Sequence, residues 1–305
     1  MQSVRLLKAA LMNCLMRDTT TNRARPVKGG QKGFEMKVIE EHFESINQLL
    51  NVIGSRPNNS EMKTQHSSED NDKAFTGTKS WNEAVELFQY GYKDVLDEIK
   101  SGIAKNVKCN VTEQRRHIRN GVVGYAPNVP NAIQGLPNSM IYTEKQPQKI
   151  KAVTIYYAPT ENCGTDVKVF IKSGIAMLSA INILEMSGVR VNLNIVFFNG
   201  TNIGDTEGAF ANVKVKDFRE HMDIQKLCFP VVHPSMFRRF GFKWLETTPK
   251  MEKSHWAHYY GHRSQKFNDI IRKNMKNDEM FITMNDVKNA NYSPEKLIES
   301  LGIKK

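Results

Sequence analysis

Residues 150–199 constrain this chain more than any other stretch, because they read as strand, loop, long helix and strand in succession. Ala152-Val153-Thr154-Ile155-Tyr156-Tyr157 is β-branched and aromatic, the composition of a buried strand. Residues 191–198 alternate and then turn wholly apolar, which predicts a second strand. Between them, residues 166–186 cover about six helical turns, with Lys168, Lys172, Ser179, Asn182 and Glu185 on a narrow polar stripe. Gly188 follows, where a left-handed residue ends a helix. A helix joining two strands at this length is a crossover. The strands are therefore expected to run parallel, with a right-handed connection whose helix covers the sheet.

The 305-residue chain is long enough for one large core or two modest ones, and its 25% charged residues are ordinary for a globular protein. It has no run of eighteen apolar residues, so the sequence predicts no membrane span. Cys14, Cys109, Cys163 and Cys228 lie far apart and form no CxxC pair, which suits neither a zinc module nor a disulfide scaffold and fits a reducing compartment. The net charge of +11 points at first towards nucleic acid or an anionic surface. Nearly half of it sits in residues 1–35, on Arg5, Lys8, Arg17, Arg23, Arg25, Lys28 and Lys32 against Asp18 and Glu35. The rest is diffuse.

Residues 1–35 read as a basic, disordered extension ahead of Met36, dispensable for folding. Residues 36–110 form a helical region, with Phe43, Ile46, Leu49, Leu50 and Ile53 at helical spacing before Gly54. Residues 54–78 are rich in Ser, Asn, Asp, Lys and Gly and read as a flexible loop. Ser80-Trp81-Asn82-Glu83 is a capping box opening a helix that Gly91 kinks or divides. Residues 111–305 make the α/β domain. Within it, Pro127, Pro130 and Pro137 oppose helix and ladder over residues 120–140, yet Val122, Val123, Tyr125, Val129, Ile133, Leu136 and Met140 are too apolar for a disordered linker. An ordered, partly buried loop is expected, either clasping the domain or presenting a recognition surface. Further strands are expected at 213–218 and 280–284. Residues 224–245 should give two helices meeting near His233, because Pro230 and Pro234 interrupt them, and Ser293-Pro294 should start a last helix that Gly302 stops.

Several segments carry groups that chemistry can use. His255, His258 and His262 share one face of a helix at metal-ligand spacing, although no acidic residue lies among them. A metal-dependent hydrolase would need Asp205 or Glu207 to approach that cluster in the fold. Trp256, Tyr259, Tyr260 and Arg263, with Lys266, also suit stacking on single-stranded bases beside a charged rim, or an interface with protein. Arg238 and Arg239 can pair with an acidic partner or phosphate, or lie at the edge of an inward-packed Phe/Met face. No GxGxxG, GxxxxGK[ST] or GxSxG is present, and Cys163 and Cys228 have no identifiable base.

The order strand, loop, helix, strand, with Ala158-Pro159-Thr160-Glu161-Asn162 in the loop, resembles the opening of a von Willebrand factor A-type domain. That family holds a divalent metal there through Asp-x-Ser-x-Ser, whose oxygens suit Mg²⁺ or Mn²⁺. Ala158 stands in place of the carboxylate and Pro159 changes the backbone. Thr160, Glu161, Asp166, Asp205 and Glu207 remain as oxygen-bearing groups near the same end, and capping or solvation accounts for them. The chain from Met36 also resembles a group of uncharacterised proteins encoded by tailed bacteriophages. Phe75-Thr76-Gly77-Thr78-Lys79-Ser80-Trp81-Asn82-Glu83-Ala84, residues 124–137 and His233-Pro234-Ser235-Met236-Phe237-Arg238-Arg239 carry that likeness. It implies a viral origin and placement in the host cytoplasm or the virion.

The resulting expectation is a largely parallel α/β sheet flanked by helices, von Willebrand A-like or Rossmann-like, with a helical N-terminal region. Functionally it is a non-enzymatic interaction or adaptor protein without cofactor. Its contact surface would lie at the carboxyl ends of the strands, including Thr160, Asp205 and the Pro/Asn loop. The alternatives are nucleic-acid binding through the basic and aromatic surface, and the metal-dependent hydrolase.

Overall fold

Strand, crossover helix and strand form as the pattern requires. The computed structural model describes residues 25–28, 35–58, 66–106, 116–145, 151–161, 163–200, 207–248, 268–269, 271–272 and 275–302. β1 (Arg25–Lys28) and β2 (Glu35–Phe43) are followed by helices α1 (Ile46–Ser55), α2 (Lys73–Thr76), α3 (Trp81–Tyr90) and α4 (Leu96–Asn106). Next come β3 (Arg116–Gly121), β4 (Ala126–Pro127), α5 (Val129–Ile133) and β5 (Met140–Lys145). The central unit is β6 (Ala152–Ala158), α6 (Val167–Met186), β7 (Arg190–Gly200) and β8 (Glu207–Lys216). α7 (Ile224–Val232), a π-helical segment (Met236–Gly241) and α8 (Phe242–Thr247) lead towards β9 (Glu279–Thr283), α9 (Met284–Asn289) and α10 (Pro294–Ser300).

The main sheet has the order β1-β2-β8-β7-β6-β9, and β3, β5 and β4 form a second, smaller sheet. β6 pairs parallel with both β7 and β9, and β2 pairs parallel with β8. β7 and β8 pair antiparallel, with Gly200 opposite Gly208, as do β1 and β2. The architecture is thus mixed α/β, with parallel pairing in the majority within the main sheet. The expected strand at 213–218 is a longer element ending at Lys216, and it turns back on β7 because a short connection after Gly200 permits only a hairpin.

Alternation sorts the central strands onto two faces. Val153, Ile155 and Tyr157 of β6 and Val191, Leu193, Ile195 and Phe197 of β7 join the large core beneath α6 and α7. Tyr156, Ala158, Val196 and Phe198 face the other way, with Phe210, Ile271 and Phe281. Asp166 caps α6, its Oδ1 accepting from the Lys168 N–H at 2.7 Å, and Gly188 takes the left-handed conformation, φ 82°, just beyond its end. α6 is long and apolar enough to cross a bilayer, yet Met177, Leu178, Ala180, Ile181 and Leu184 are buried in the core. Each buried Leu or Ile contributes roughly 1.5–3 kcal/mol.

The N-terminal helices join this core through Leu49, Ile53, Ala84 and Ile99, and β2 is a strand of the main sheet. Residue 110 is therefore no boundary in the packing. Phe43, expected on a helix, ends β2, and α1 starts after the Ser45 cap. Arg25–Lys28, within the segment set apart as an extension, pairs along the sheet edge. Gly91 divides two helices, as its permissive backbone (φ 86°) allows. The stretch 54–78 is only partly solvated where it is described: Ser67, Thr76 and Thr78 are buried, while Ser68, Glu69, Asp70, Asn71, Lys73 and Ala74 are exposed. Residues 120–140 include β4 and α5, and most of their apolar side chains point outward, with Val123 and Ile133 each 81% exposed.

α7 crosses α6 at Gly174, where an added Cβ would stand 2.4 Å from Val232 Cα and 2.6 Å from the Val231 carbonyl oxygen. Both obstacles are backbone, so neither can turn aside. Gly174→Ala is expected to lower the thermal midpoint by roughly 2–5 °C, the effect of about 1–3 kcal/mol of overpacking in a chain this size. Differential scanning calorimetry checks this, and an unchanged midpoint would show that the two helices are free to separate.

Candidate functional site

The chain leaves β6 towards β7 on one side, while β9 arrives on the other from far along the sequence. The carboxyl ends of β6 and β9 are therefore a topological switch point, the usual place for a ligand on a parallel sheet. The strand β6 runs on into Pro159, Thr160 and Glu161, and the side chains there turn inward. Thr160 is 1% exposed, so it is not the contact residue that its loop position suggested, and its Oγ1 has no hydrogen-bond partner among the described residues. Glu161 is buried and accepts from Lys288 Nζ of α9 at 3.2 Å. Burial, then the negative charge of Glu161, raises the Tyr157 hydroxyl above its ordinary range and keeps it protonated.

Asp166 and Asp286 at this end are engaged. Asp166 is the α6 cap. Thr283, the last residue of β9, forms a capping box with Asp286, which also accepts from Arg272 Nη2 at 2.5 Å. Glu207 opens β8 beside the end of β7, so its backbone stands at the same end of the sheet. Asp205 lies outside the described residues, as do His255, Trp256, His258, Tyr259, Tyr260, His262 and Arg263. Among the described residues no three His, Cys, Asp or Glu side chains gather as a metal would need.

Arg238 and Arg239 are the largest departure from the sequence reading. Both are fully buried rather than lying at an edge, so neither offers a surface for an acidic partner or phosphate. Pro230 lies inside α7 rather than interrupting it, the break falls at His233-Pro234, and the π-helical turns that follow bring both arginines inward. The Arg238 guanidinium lies over the rings of Phe75 and Phe170, 4.1 and 4.4 Å from their centroids. It donates to the carbonyls of Phe75 and Thr165, each at 2.7 Å. Arg239 donates through Nε to Thr78 Oγ1 at 2.6 Å, and through its two Nη atoms to the carbonyls of Ser67, Glu69 and Thr78. Ser67 is gripped from both sides, because its N–H and Oγ donate to the buried Glu246 carboxylate. Residues 66–78 are thus a strap held by buried charge.

His233 and Ser235 complete the arrangement. The Ser235 N–H donates to His233 Nδ1 at 3.2 Å, and Ser235 Oγ donates to the Thr76 carbonyl at 2.7 Å. The His233 ring stacks on Phe229 and meets Tyr92 edge-on at 4.7 Å. Neighbouring Ser and His therefore serve packing and capping rather than nucleophilic chemistry. Cys228 is buried, with its thiol pushed up to about 12 chiefly by desolvation, which makes it a poor nucleophile. At the carboxyl ends of β2 and β8 a cavity of about 510 Å³ is lined by Ser45, Phe88 and the charged Glu44, Lys214, Asp217, Arg219, Glu220 and Lys226. Lys214 pairs with Asp217 at 2.7 Å and Lys226 with Glu220 at 3.3 Å. The buried Lys216 is held by Glu185 at 2.5 Å and by the carbonyls of Val191 and Glu220.

A match over residues 17–304 shows that the chain belongs to the family described as Domain of unknown function (DUF7192). That match begins inside the segment that the sequence reading had set apart. No curated protein and no solved structure matches the chain.

Arg239→Met leaves the Ser67, Glu69 and Thr78 carbonyls without their donor. It should lower stability by about 3–5 kcal/mol, the scale of breaking a buried charged network. Limited proteolysis should then cut first within residues 66–78, and Arg239→Lys should restore little because an ammonium lacks the fork. An unaltered cleavage pattern would show that the strap is held by other contacts.

A pH dependence follows from the buried imidazoles. Burial is the largest cause at both, lowering His42 to about 4 and His233 to about 3; Glu41 opposes it at His42, while Arg239 and Lys73 add to it at His233. Unfolded histidine titrates near 6.5. The unfolded chain therefore binds more protons below that value, and stability that is complete above about pH 6.5 is lost as pH falls towards the folded values. Denaturant midpoints should decline between pH 7.5 and 5, and the His42→Asn/His233→Asn double variant should show a shallower slope. A double variant with the parental slope would assign the dependence elsewhere.

Proposed function

We propose that this chain is a phage-encoded, non-enzymatic interaction protein built on a von Willebrand A-like scaffold without a complete metal site. The observation that carries this reading is the internal commitment of the described charged groups around the switch point. Glu161 is closed by Lys288, Asp166 caps α6, Asp286 serves its own helix and Arg272, and Arg238 binds backbone carbonyls. A catalytic or metal-binding pocket keeps such groups open towards a substrate or an open coordination position. Ala158, completely buried, stands where the metal motif of that family requires an Asp. The parallel strands β6, β7 and β9 and the α6 crossover supply the rigid frame on which such a protein displays its contact surface.

Isothermal titration calorimetry with Mg²⁺ and Mn²⁺ tests this directly. The expected result is no saturable heat at millimolar metal for the full chain, with Asp166→Ala indistinguishable from the parent. Stoichiometric binding that Asp166→Ala abolishes would restore a metal site at the carboxyl ends and overturn the reading.

A further inference from the structure

The carboxyl ends of β2 and β8 stand at the opposite end of the main sheet from those of β6 and β9, because β7 and β8 run antiparallel. There β2 leads into α1 and β8 into the turn before α7, and both connections line the cavity of about 510 Å³. Small-ligand sites typically enclose roughly 300–1,000 Å³. Ile46, Phe88, Val215 and Pro230 give this one an apolar wall. Phe88 is held by the rings of Phe229 and Phe240, 6.1 and 6.4 Å away between centroids, so the wall is pre-formed.

The charged side chains around that wall do not all find partners. Lys216 is closed by Glu185 and by the carbonyls of Val191 and Glu220. Lys226 pairs with Glu220 at 3.3 Å. Lys214 lies 2.7 Å from Asp217 and 3.9 Å from Glu44, so Asp217 has the firmer hold on it. Lys214, with the Arg219 N–H, keeps the Asp217 carboxyl below its ordinary range. One acid and one base are left over. The Glu44 side chain is 70% exposed and has only the long contact with Lys214. The Arg219 guanidinium has no carboxylate at ion-pair distance among the described residues and lies 5.2 Å from the Phe218 ring centroid.

We infer that this cavity binds a free α-amino acid with an apolar side chain, its ammonium at Glu44, its carboxylate at Arg219 and its side chain on the apolar wall. Such a zwitterion supplies one charge of each sign, which is the pair that the lining leaves unmatched. The planar fork of Arg219 suits a carboxylate through two parallel bonds. Phosphate and other polyanions fit poorly, since Glu44, Asp217 and Glu220 surround the single free guanidinium. An uncharged apolar molecule would take water from both free charges and return no partner. The site is separate from the switch point and does not depend on the interaction reading above.

Isothermal titration calorimetry of the full-length chain tests this with L-leucine and L-phenylalanine, and with analogues of leucine. Leucinamide lacks the carboxylate, 4-methylpentanoate the ammonium, and glycine the side chain. Leucine should give a saturable one-to-one isotherm at millimolar concentration, and each analogue should bind at least fivefold more weakly. Arg219→Gln should weaken leucine at least fivefold and leave leucinamide unchanged. Glu44→Gln should weaken leucine equally and leave 4-methylpentanoate unchanged. Both side chains are exposed, so each variant should keep the parental thermal midpoint. No saturable heat with either amino acid, leucinamide or glycine binding as tightly as leucine, or saturable binding of inorganic phosphate would each overturn the proposal.

Discussion

One residue's backbone, that of Ser67, is held between two opposite buried charges, and much of the molecule is arranged around that grip. Glu246 takes its N–H and hydroxyl while Arg239 takes its carbonyl. An ionised group without partners inside a protein loses several kcal/mol of hydration. Arg239, which donates to Ser67, Glu69 and Thr78, therefore cannot stay buried unless residues 66–78 come down on it. Arg238 repeats the logic one residue earlier, joining Phe75 to Thr165 at the mouth of α6. The strap, the π-helical segment and the crossover helix are thereby a single packed unit. This explains how a stretch so polar in composition is integral to the fold.

Glu41 plays a comparable part on the N-terminal side. Its carboxylate accepts from Trp244 Nε1 at 2.8 Å and from Arg56 Nη1 at 2.9 Å, tying β2 to α8 and to the end of α1. Trp244 is wholly buried, so its indole N–H needs an acceptor, and the strand supplies one. Buried ion pairs and charge-assisted bonds of this kind specify geometry more than they add stability. Here they fix which segments meet.

The parts legible in the sequence were those governed by local rules. Periodicity found β6, α6 and β7 with their caps; proline placed the break near His233; Ser80 and Ser293 marked two helix starts. What eluded it was decided by contacts distant in sequence. The strap looked solvated because Ser67, Thr76 and Thr78 are polar, and their burial depends on arginines some 160 residues later. Arg238 and Arg239 looked like surface residues for the same reason. β8 was expected to continue the parallel order, because strand pattern alone carries no direction. At the candidate site the sequence identified Thr160, Glu161 and Asp166 as oxygen donors, but it held no sign of Lys288 closing on Glu161. The outward-facing valines of residues 120–140 were read as partly buried because hydrophobicity signals burial without naming what does the covering.

The place of β2 in the sheet bears on how the chain is made. Its parallel neighbour, β8, ends at Lys216, more than 160 residues downstream, and Glu41 waits as long for Trp244. At ribosomal speeds of roughly 5–20 residues per second, that interval is on the order of 10–30 s. Throughout it the nascent β2 has a hydrogen-bonding edge facing β1 and none of its eventual inner neighbours. Among the described strands β2 is thus made early and enclosed late, and a chaperone that shields unpaired strand edges has its longest opportunity there.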